Sequence, residues 1–363
     1  MHDRRTFLSL SAAAAASVPL AGCGTLDKDG YDRAAARIRA PLPETPGFAS
    51  LVRFATLAPN GHNTQPWTFS DHGTGVGIHP DVSRRTPVVD PDDHHLFVSL
   101  GCAAENLMIA AGANGRPAAM AFDPVGEGRI AIELGRGPPR ADALFRAIPA
   151  RQSTRSVYDG RAVSPAELNA LASVAQIDGV RLVMFTDPRQ RESVLDFVIR
   201  ANTLQVGDPA FVKELRQWVR FNPEQAVTTG DGLYSGCTGH PAMPSWIGER
   251  AFGLAFTKDG ENATLTKQIR SSAGIAVFTG DKEDKDHWVR VGRSFQRFAL
   301  MATALGLRHA LINQPVESPL VRAEFSRWLG IGAARPDLCV RFGHGPTMPM
   351  SMRRPVADVV RAA

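Results

Sequence analysis

The chain has 363 residues, 44% of them apolar and 21% charged, with 33 Gly and 26 Pro, a mixture that excludes long-range disorder, collagen and coiled-coil arrays. Its 41 basic and 36 acidic side chains leave a formal charge of +5 without any Lys/Arg run, so there is no nucleic-acid-binding arm. Four cysteines are too few for a disulfide-stapled scaffold, leaving a globular body with room for two domain-sized cores or one large double core.

Residues 1–22 read as a removable export signal. Arg4 and Arg5 precede Thr6, Phe7 and an alanine-rich apolar run, Leu8–Leu20, whose 13 residues fall short of the roughly 20 needed to cross a bilayer. Paired arginines before a short, weakly hydrophobic run resemble a twin-arginine export signal. The closing Leu20-Ala21-Gly22-Cys23 resembles a bacterial lipobox, in which cleavage leaves Cys23 as the acylated N-terminus. An ordinary secretory signal with an incidental cysteine is the alternative. The twin-arginine reading makes that export machinery a partner and holds the body outside the cytoplasmic membrane by its N-terminal lipid. It also suits a cofactor loaded before export.

Cys102, Cys237 and Cys339 remain in the processed chain, so at least one thiol is unpaired. Cys102 lies in an apolar run and reads as a small hydrophobe; a Cys237–Cys339 disulfide is left open. Residues 23–45, with Asp27, Lys28, Asp29, Pro41 and Pro43, read as a tether.

The body contains an internal repeat. A shift of 191 positions lays Phe97-Val98-Ser99-Leu100-Gly101 over Trp288-Val289-Arg290-Val291-Gly292 and pairs Ala111 with Ala302, Ala113 with Ala304 and Gly115 with Gly306. Both segments read as long core helices ending in glycine. Gly101 and Gly292 each cost about 1 kcal/mol relative to Ala within a helix, a cost that a close helix–helix approach would justify.

Helical spacing also appears at 47–57, 165–175, 190–204, 209–221 and 318–329. Strand-like runs appear at 67–70, 75–79, 130–133, 181–186, 274–279 and 338–342. The alternation predicts an α+β fold of two tandem half-repeats, 46–145 and 146–363, fused as a pseudo-dimer. Within the second half the rhythm weakens over about 207–266, where Gly230, Asp231, Gly232, Gly236, Gly239, Pro241 and Pro244 cluster. This reads as a functional loop or lid.

Two segments carry chemistry. Ala58-Pro59-Asn60-Gly61-His62-Asn63-Thr64-Gln65-Pro66-Trp67 follows a helix and precedes a strand; its small and amide residues let backbone approach a planar ligand and offer paired donors and acceptors. Arg151-Gln152-Ser153-Thr154-Arg155 alternates so that two arginines and a serine share one side of an extended segment, a cluster that suits a phosphate. A solvated basic turn is its plainer reading. Arg353-Arg354 is a third basic pair.

At these residues the chain resembles the nitroreductase superfamily of FMN-binding homodimers, and its fused form resembles the Acg-like branch. The family carries an Arg-x-Ser-x-Arg phosphate motif and an Ala-Pro-Ser-x-x-Asn-x-Gln-Pro-Trp loop in each copy, with the flavin at the subunit interface. Here the loop lies in the first half and Arg151-Gln152-Ser153-Thr154-Arg155 in the second, which implies one complete FMN site per chain and one vacant pseudo-site in a monomeric pseudo-dimer. The resemblance implies that Pro59, Asn60, Gly61, Asn63 and Gln65 meet the flavin face or its polar edge. It gives the phosphate to Arg151, Ser153, Arg155 and Arg353 or Arg354, and the flavin N5/O4 edge to Gln314. Asn60 stands where serine is usual. The branch carries a lid, so Tyr234 or Trp246 is a candidate stacking residue.

Other motifs carry less. Gly73-Thr74-Gly75-Val76-Gly77 reads as a hairpin turn, and Gly330-Ile331-Gly332 as a helix end. His94-His95 after Asp90, Asp92 and Asp93 lacks a complete metal-ligand set and reads as a solvated helix start. The resulting expectation is a lipid-anchored FMN oxidoreductase of nitroreductase type. Its electron donor would be a quinone, a small reductant or a redox protein, because NAD(P)H is scarce outside the cytoplasm. The alternative is a lidded protein that stores, sequesters or senses FMN without turnover.

Overall fold

The computed structural model describes residues 27–332 and 334–361. The twin arginines, the apolar run and Cys23 lie outside the described residues. The first half comprises α1 (Lys28–Ile38), α2 (Phe48–Thr56), β1 (Trp67–Asp71), β2 (Gly75–Pro80), α3 (His94–Ala113), β3 (Ala118–Asp123), β4 (Arg129–Leu134) and α4 (Ala143–Ala147). Its four strands form an antiparallel sheet in the order β1-β2-β4-β3.

The second half opens with α5 (Pro165–Val174) and β5 (Val180–Phe185). A long excursion follows: α6 (Pro188–Gly207), α7 (Pro209–Trp218), β6 (Val219–Arg220), α8 (Pro223–Thr229), β7 (Leu233–Tyr234), α9 (Ser245–Ala255) and α10 (Lys258–Arg270). The half then closes with β8 (Gly274–Gly280), α11 (Lys285–Ala304), β9 (Arg308–Leu311), α12 (Gln314–Glu317), α13 (Pro319–Trp328) and β10 (Leu338–Gly343). Its antiparallel sheet runs β5-β8-β10-β9. Strand for strand this is the order of the first sheet, so the α+β fold is built from two tandem half-repeats.

This correspondence locates the insertion. In the first half a tight hairpin joins β1 to β2; in the second, the equivalent connection carries everything from α6 to α10. The excursion is therefore longer than 207–266 and mostly helical. Its helices start where acid or amide caps meet proline. Asp187, Asp208 and Asn222 accept backbone N–H bonds at the starts of α6, α7 and α8, each with Pro in the first turn. Gly230, Gly232 and Gly239, with φ of 64°, 74° and 84°, reverse the chain between helices.

Helices α3 and α11 form the seam between the halves. They start at 94 and 285 and end at 113 and 304, each pair 191 positions apart. A Cβ on Gly101 would sit 2.1 Å from the Val289 carbonyl oxygen, and one on Gly292 would sit 2.0 Å from that of Val98. Backbone meets backbone here, and each glycine faces the turn that carries the other. Helix α3 is apolar and long enough for a membrane span, but 83% of that window is buried inside the protein.

Three expectations are corrected. Residues 28–38 of the expected tether fold as α1, capped by Asp27, because Tyr31, Ala34 and Ala35 bury against Ala226, Tyr234 and Met352. All three described cysteines are free and buried, so no Cys237–Cys339 disulfide forms. The end of the chain leaves the second half and returns to the first: the Arg361 N–H donates to the Phe69 carbonyl at 2.8 Å on the edge of β1.

Gly101→Ala or Gly292→Ala gains helix propensity yet forces the seam apart. Each is expected to lower unfolding stability by about 1–3 kcal/mol, read as a lower midpoint in chemical denaturation. An unchanged midpoint would mean that the helices do not cross at these residues.

Candidate functional site

The loop after α2 is held in an uncommon conformation. His62, Asn63 and Gln65 have φ of 48°, 55° and 54°, a left-handed run that ordinary side chains seldom adopt and that neighbouring bonds must enforce. Asn60 supplies one restraint, its Oδ1 accepting from the Gln65 N–H at 2.8 Å. Asn63 Nδ2 donates to the carbonyls of Gly232 and Met352 at 3.0 and 3.2 Å. Gln65 Nε2 donates to the Gly230 carbonyl at 2.8 Å, while its Oε1 accepts from the Arg354 N–H at 2.9 Å. The loop is thus bolted to the insertion at 230–232 and to the C-terminal strap at 352–354. Asn63 and Gln65 are buried structural ties and do not line the cavity described below.

Arg353 completes that lock. Its guanidinium donates to the carbonyls of Thr56, Leu57 and Ala58, to Asn63 Oδ1 at 3.0 Å and to Ser351 Oγ at 2.7 Å. It satisfies the carbonyls that α2 leaves open at its C-terminus and complements the negative end of the helix dipole. Arg354 pairs with Asp81 at 3.6 Å and donates to the Asp358 carbonyl at 2.7 Å. Arg151 is buried, and Nη2 donates to the Leu57 carbonyl at 2.9 Å; burial lowers it to about 10. The expected phosphate cluster therefore divides. Arg151 and Arg353 share the Leu57 carbonyl, with Arg151 Nε and Nη1 left unpartnered; neither they nor Arg354 line the cavity described below, and the Ser153 backbone bridges to His309.

Arg155 takes a different direction. It lies on the wall of a cavity of about 440 Å³ bounded by Pro59, Asn60, Gly61 and His62 of the loop and by Val98, Ser99 and Cys102 of α3. Gln314 and Glu317 of α12 and Phe211, Phe221, Phe252 and Phe256 of the insertion complete the enclosure. The volume is within the range of small-ligand and cofactor pockets, and mostly apolar walls with a few convergent polar groups are their usual chemistry. Burial lowers the Arg155 guanidinium from its ordinary value, and no carboxylate lies within salt-bridge reach of it among the described residues. Two other buried polar atoms on the wall lack partners: Gln314 Oε1 and His62 Nδ1. The aromatic cover differs from expectation. Tyr234 packs on Tyr31 with ring centroids 4.6 Å apart, Trp246 faces solvent, and four phenylalanines of the insertion line the cavity instead, with Phe295 of α11.

Another part of the cavity wall is protic. His95 borders the cavity with Glu317 at 3.9 Å, and Gln205 Nε2 donates to Glu317 Oε2 at 2.7 Å. Burial lowers His95 and raises Glu317, so both are biased toward neutral forms. The neighbouring helix start is buried, not solvated as expected: Asp90 caps α3 by accepting from the His95 and Leu96 N–H groups, both at 3.0 Å. His94 Nε2 and Asp337 Oδ1 are 2.8 Å apart, with burial keeping the imidazole neutral. The sequence reading quoted His62 and His95 without placing them at the site, and it missed Ser99 and the phenylalanines, although Phe211 and Phe221 fall within the helical spacing at 209–221.

The pseudo-symmetric position is also visible. The second-half loop, Gln176, Ile177 and Asp178, lines an open groove together with Met120, Arg290 and Arg293. Arg290 and Arg293 are the 191-residue counterparts of Ser99 and Cys102. Where the first site has small side chains, this one has Arg290 paired with Asp286 at 2.7 Å and Arg293 with Glu105 at 2.8 Å.

Against known proteins, the chain is 26% identical over 347 residues to two Mycobacterium tuberculosis proteins provisionally named NAD(P)H nitroreductases, covering 92% of this chain and 95% of each relative. The likeness is to nitroreductases. No family model matches the chain. Among solved structures, a provisionally named nitroreductase from Anabaena variabilis aligns over 86% of this chain and 91% of its own, at 10% identity and TM-score 0.47. The FMN-dependent nitroreductase NfnB of Mycobacterium smegmatis aligns over 61% of this chain and 98% of its own, at 12% identity and TM-score 0.40.

Two measurements separate scaffold from wall. Arg353→Ala strands the Thr56 carbonyl and Asn63 Oδ1 and is expected to cost about 3 kcal/mol of stability, whereas Arg155→Ala removes an unpaired desolvated charge and leaves the melting temperature unchanged or higher. Equal losses in the two variants would refute that division. His62 is lowered to about 4 by burial, with Arg155 and His95 adding to the effect. Its neutral form contributes stability that is full above its unfolded value of about 6.5 and is lost as pH falls toward about 4. His62→Asn is expected to flatten that acid limb, and parallel limbs for the two proteins would count against it.

Proposed function

We propose that this chain is an FMN-dependent oxidoreductase of nitroreductase type, binding one flavin per chain in the cavity between its halves. The observation that carries this reading is the meeting of separated motifs. Asn60 and Gly61 come from the first half, Arg155 and Gln314 from the second, and all four share one cavity wall. The residues present fit such a cofactor. Arg155 is an unpaired guanidinium suited to a phosphate, Gln314 Oε1 and His62 Nδ1 lack protein partners, and the surrounding wall is apolar.

When bound, FMN supplies the electron-transfer chemistry, and the protein supplies orientation, hydrogen bonding and a dry site. Pro59, Asn60 and Gly61 would lie against the ring, Gln314 would meet its polar edge, and Arg155, close to Ser153 in the chain, would hold the phosphate. Phe221, Phe252 and Phe256 exclude water. His95 and Glu317 hold protons on the same cavity's wall, where a substrate that gains electrons also needs them. The pseudo-symmetric groove is lined by ion-paired Arg290 and Arg293 where the cavity has Ser99 and Cys102, in keeping with a single flavin per chain.

Arg4-Arg5 and Leu20-Ala21-Gly22-Cys23 support export and attachment to a bacterial membrane through acylated Cys23. The relatives' names make NAD(P)H the first electron donor to test. Export would remove the protein from the cytoplasmic nicotinamide pool and leave a quinone, a small reductant or a redox protein. The size of the insertion over the cavity favours a second reading, a lidded protein that stores or sequesters flavin.

The visible spectrum of the purified protein, taken before and after anaerobic NADPH, separates the readings. A yellow protein with one FMN per chain that bleaches supports the oxidoreductase. One that bleaches only with dithionite supports storage or another donor, and a colourless protein that cannot be reconstituted overturns both flavin readings. Arg155→Ala is expected to weaken FMN binding by about 10- to 100-fold, the equivalent of one charge-assisted hydrogen bond. Unchanged affinity would remove Arg155 from the phosphate site.

A further inference from the structure

Helix α9 is apolar on both of its long sides. Gly248, Ala251, Phe252 and Ala255 face inward and line the cavity. The contact is close: a Cβ on Gly248 would stand 2.3 Å from the Phe221 ring. On its outer side Trp246, Ile247 and Leu254 are 65%, 38% and 83% exposed. These are three of the nine large hydrophobic side chains that the described chain leaves exposed, and they fall on one 11-residue helix. Charge near this face is sparse and leaves one positive group. Glu249 pairs with Arg216 at 3.6 Å, and Arg250 is the remaining ion. An exposed Trp/Ile/Leu surface without net charge attraction suits the apolar–polar boundary of a bilayer more than a nucleic acid or an acidic protein.

The first described helix is joined to α9 through α8. Asp27 caps α1, four positions after Cys23, and extended chain spans at most ~14 Å over that separation. Helix α1 packs on α8 through Tyr31, Ala34, Ala35 and Ala226. The first residue of α8's cap, Asn222, donates to Ser245 Oγ at 3.1 Å at the start of α9. An anchor at Cys23 is thus linked through α1 and α8 to α9.

We propose that α9 is a membrane-docking helix whose Trp246, Ile247 and Leu254 enter the lipid surface, so that the cavity beneath it faces the bilayer. Its Phe252 face then separates the cavity from lipid by one helix, which suits ligands that dissolve in membranes. The proposal rests on the export and anchoring reading for its geometry and does not depend on flavin.

The test uses the full chain carrying Cys23→Ser, so that no lipid is attached, with Leu254→Cys bearing an environment-sensitive fluorophore; the other three cysteines are buried. Val125→Cys, at a position 80% exposed in the turn between β3 and β4, is the control. On phosphatidylcholine vesicles containing a lipid-soluble quencher, the Leu254 probe is expected to shift to the blue and lose at least half its emission while the Val125 probe does not change. Trp246→Ser with Ile247→Ser should weaken vesicle binding at least tenfold with FMN content unchanged. Two results would overturn the proposal: both probes remaining in water, as for a chain held by its leader alone, or the Leu254 probe shielded without vesicles as the particle mass doubles, as for a second copy covering the face. A colourless preparation that still docks would refute the flavin reading and leave this one standing.

Discussion

Everything in this protein is referenced to the contact between the backbones of α3 and α11. Two glycines, Gly101 and Gly292, let each helix rest on a carbonyl of the other, closer than any side chain would permit. Cavity-lining residues flank that contact on α3, with Val98 and Ser99 before Gly101 and Cys102 after it, and α11 contributes Phe295 to the same wall. Interiors at such density transmit displacement and do not absorb it. Widening the seam would therefore displace a wall of the site as well as loosen the core.

From this near-symmetric seam the two halves diverge in function. One β-β connection stayed a hairpin; its counterpart holds five helices and supplies most of the aromatic cover of the cavity. The pseudo-equivalent cleft is an open groove lined by Arg290 and Arg293, each neutralised by an acid. Small residues on one copy of a helix face and arginines on the other are enough to make one cleft a binding cavity and the other a salt-bridged surface.

Much of this was legible in the sequence. The 191-residue repeat placed both seam helices, the Gly101/Gly292 cost pointed to close approach, and the two chemical motifs lay in separate halves. Local pattern failed where distance decides the partner. Arg353 looks like a surface base until the carbonyls of Thr56, Leu57 and Ala58, almost 300 positions earlier, are placed around it. Arg151 and Arg155 were expected on one side of an extended segment. The segment is extended only briefly, with a short helical turn before Arg151 and a single bridge at Ser153, so the two guanidiniums point to different places. Strands β3 and β9 escaped notice because Ala118–Asp123 is alanine-rich and only partly buried, and because Arg308–Leu311 is too short to show alternation. Helix α1 was hidden by flanking charges and prolines that suit a linker as well as a cap.

The strap at 350–361 has a consequence for how the molecule is made. The loop at 60–65 takes its left-handed shape from bonds to Met352, Arg353 and Arg354, and the edge of β1 is covered by Val360 and Arg361. A ribosome emits these residues after every strand of both sheets. Both sheets can therefore form on a nascent chain while the loop at 60–65 still lacks its restraints. The loop is thus made early and set late, its shape waiting on partners almost 300 positions downstream.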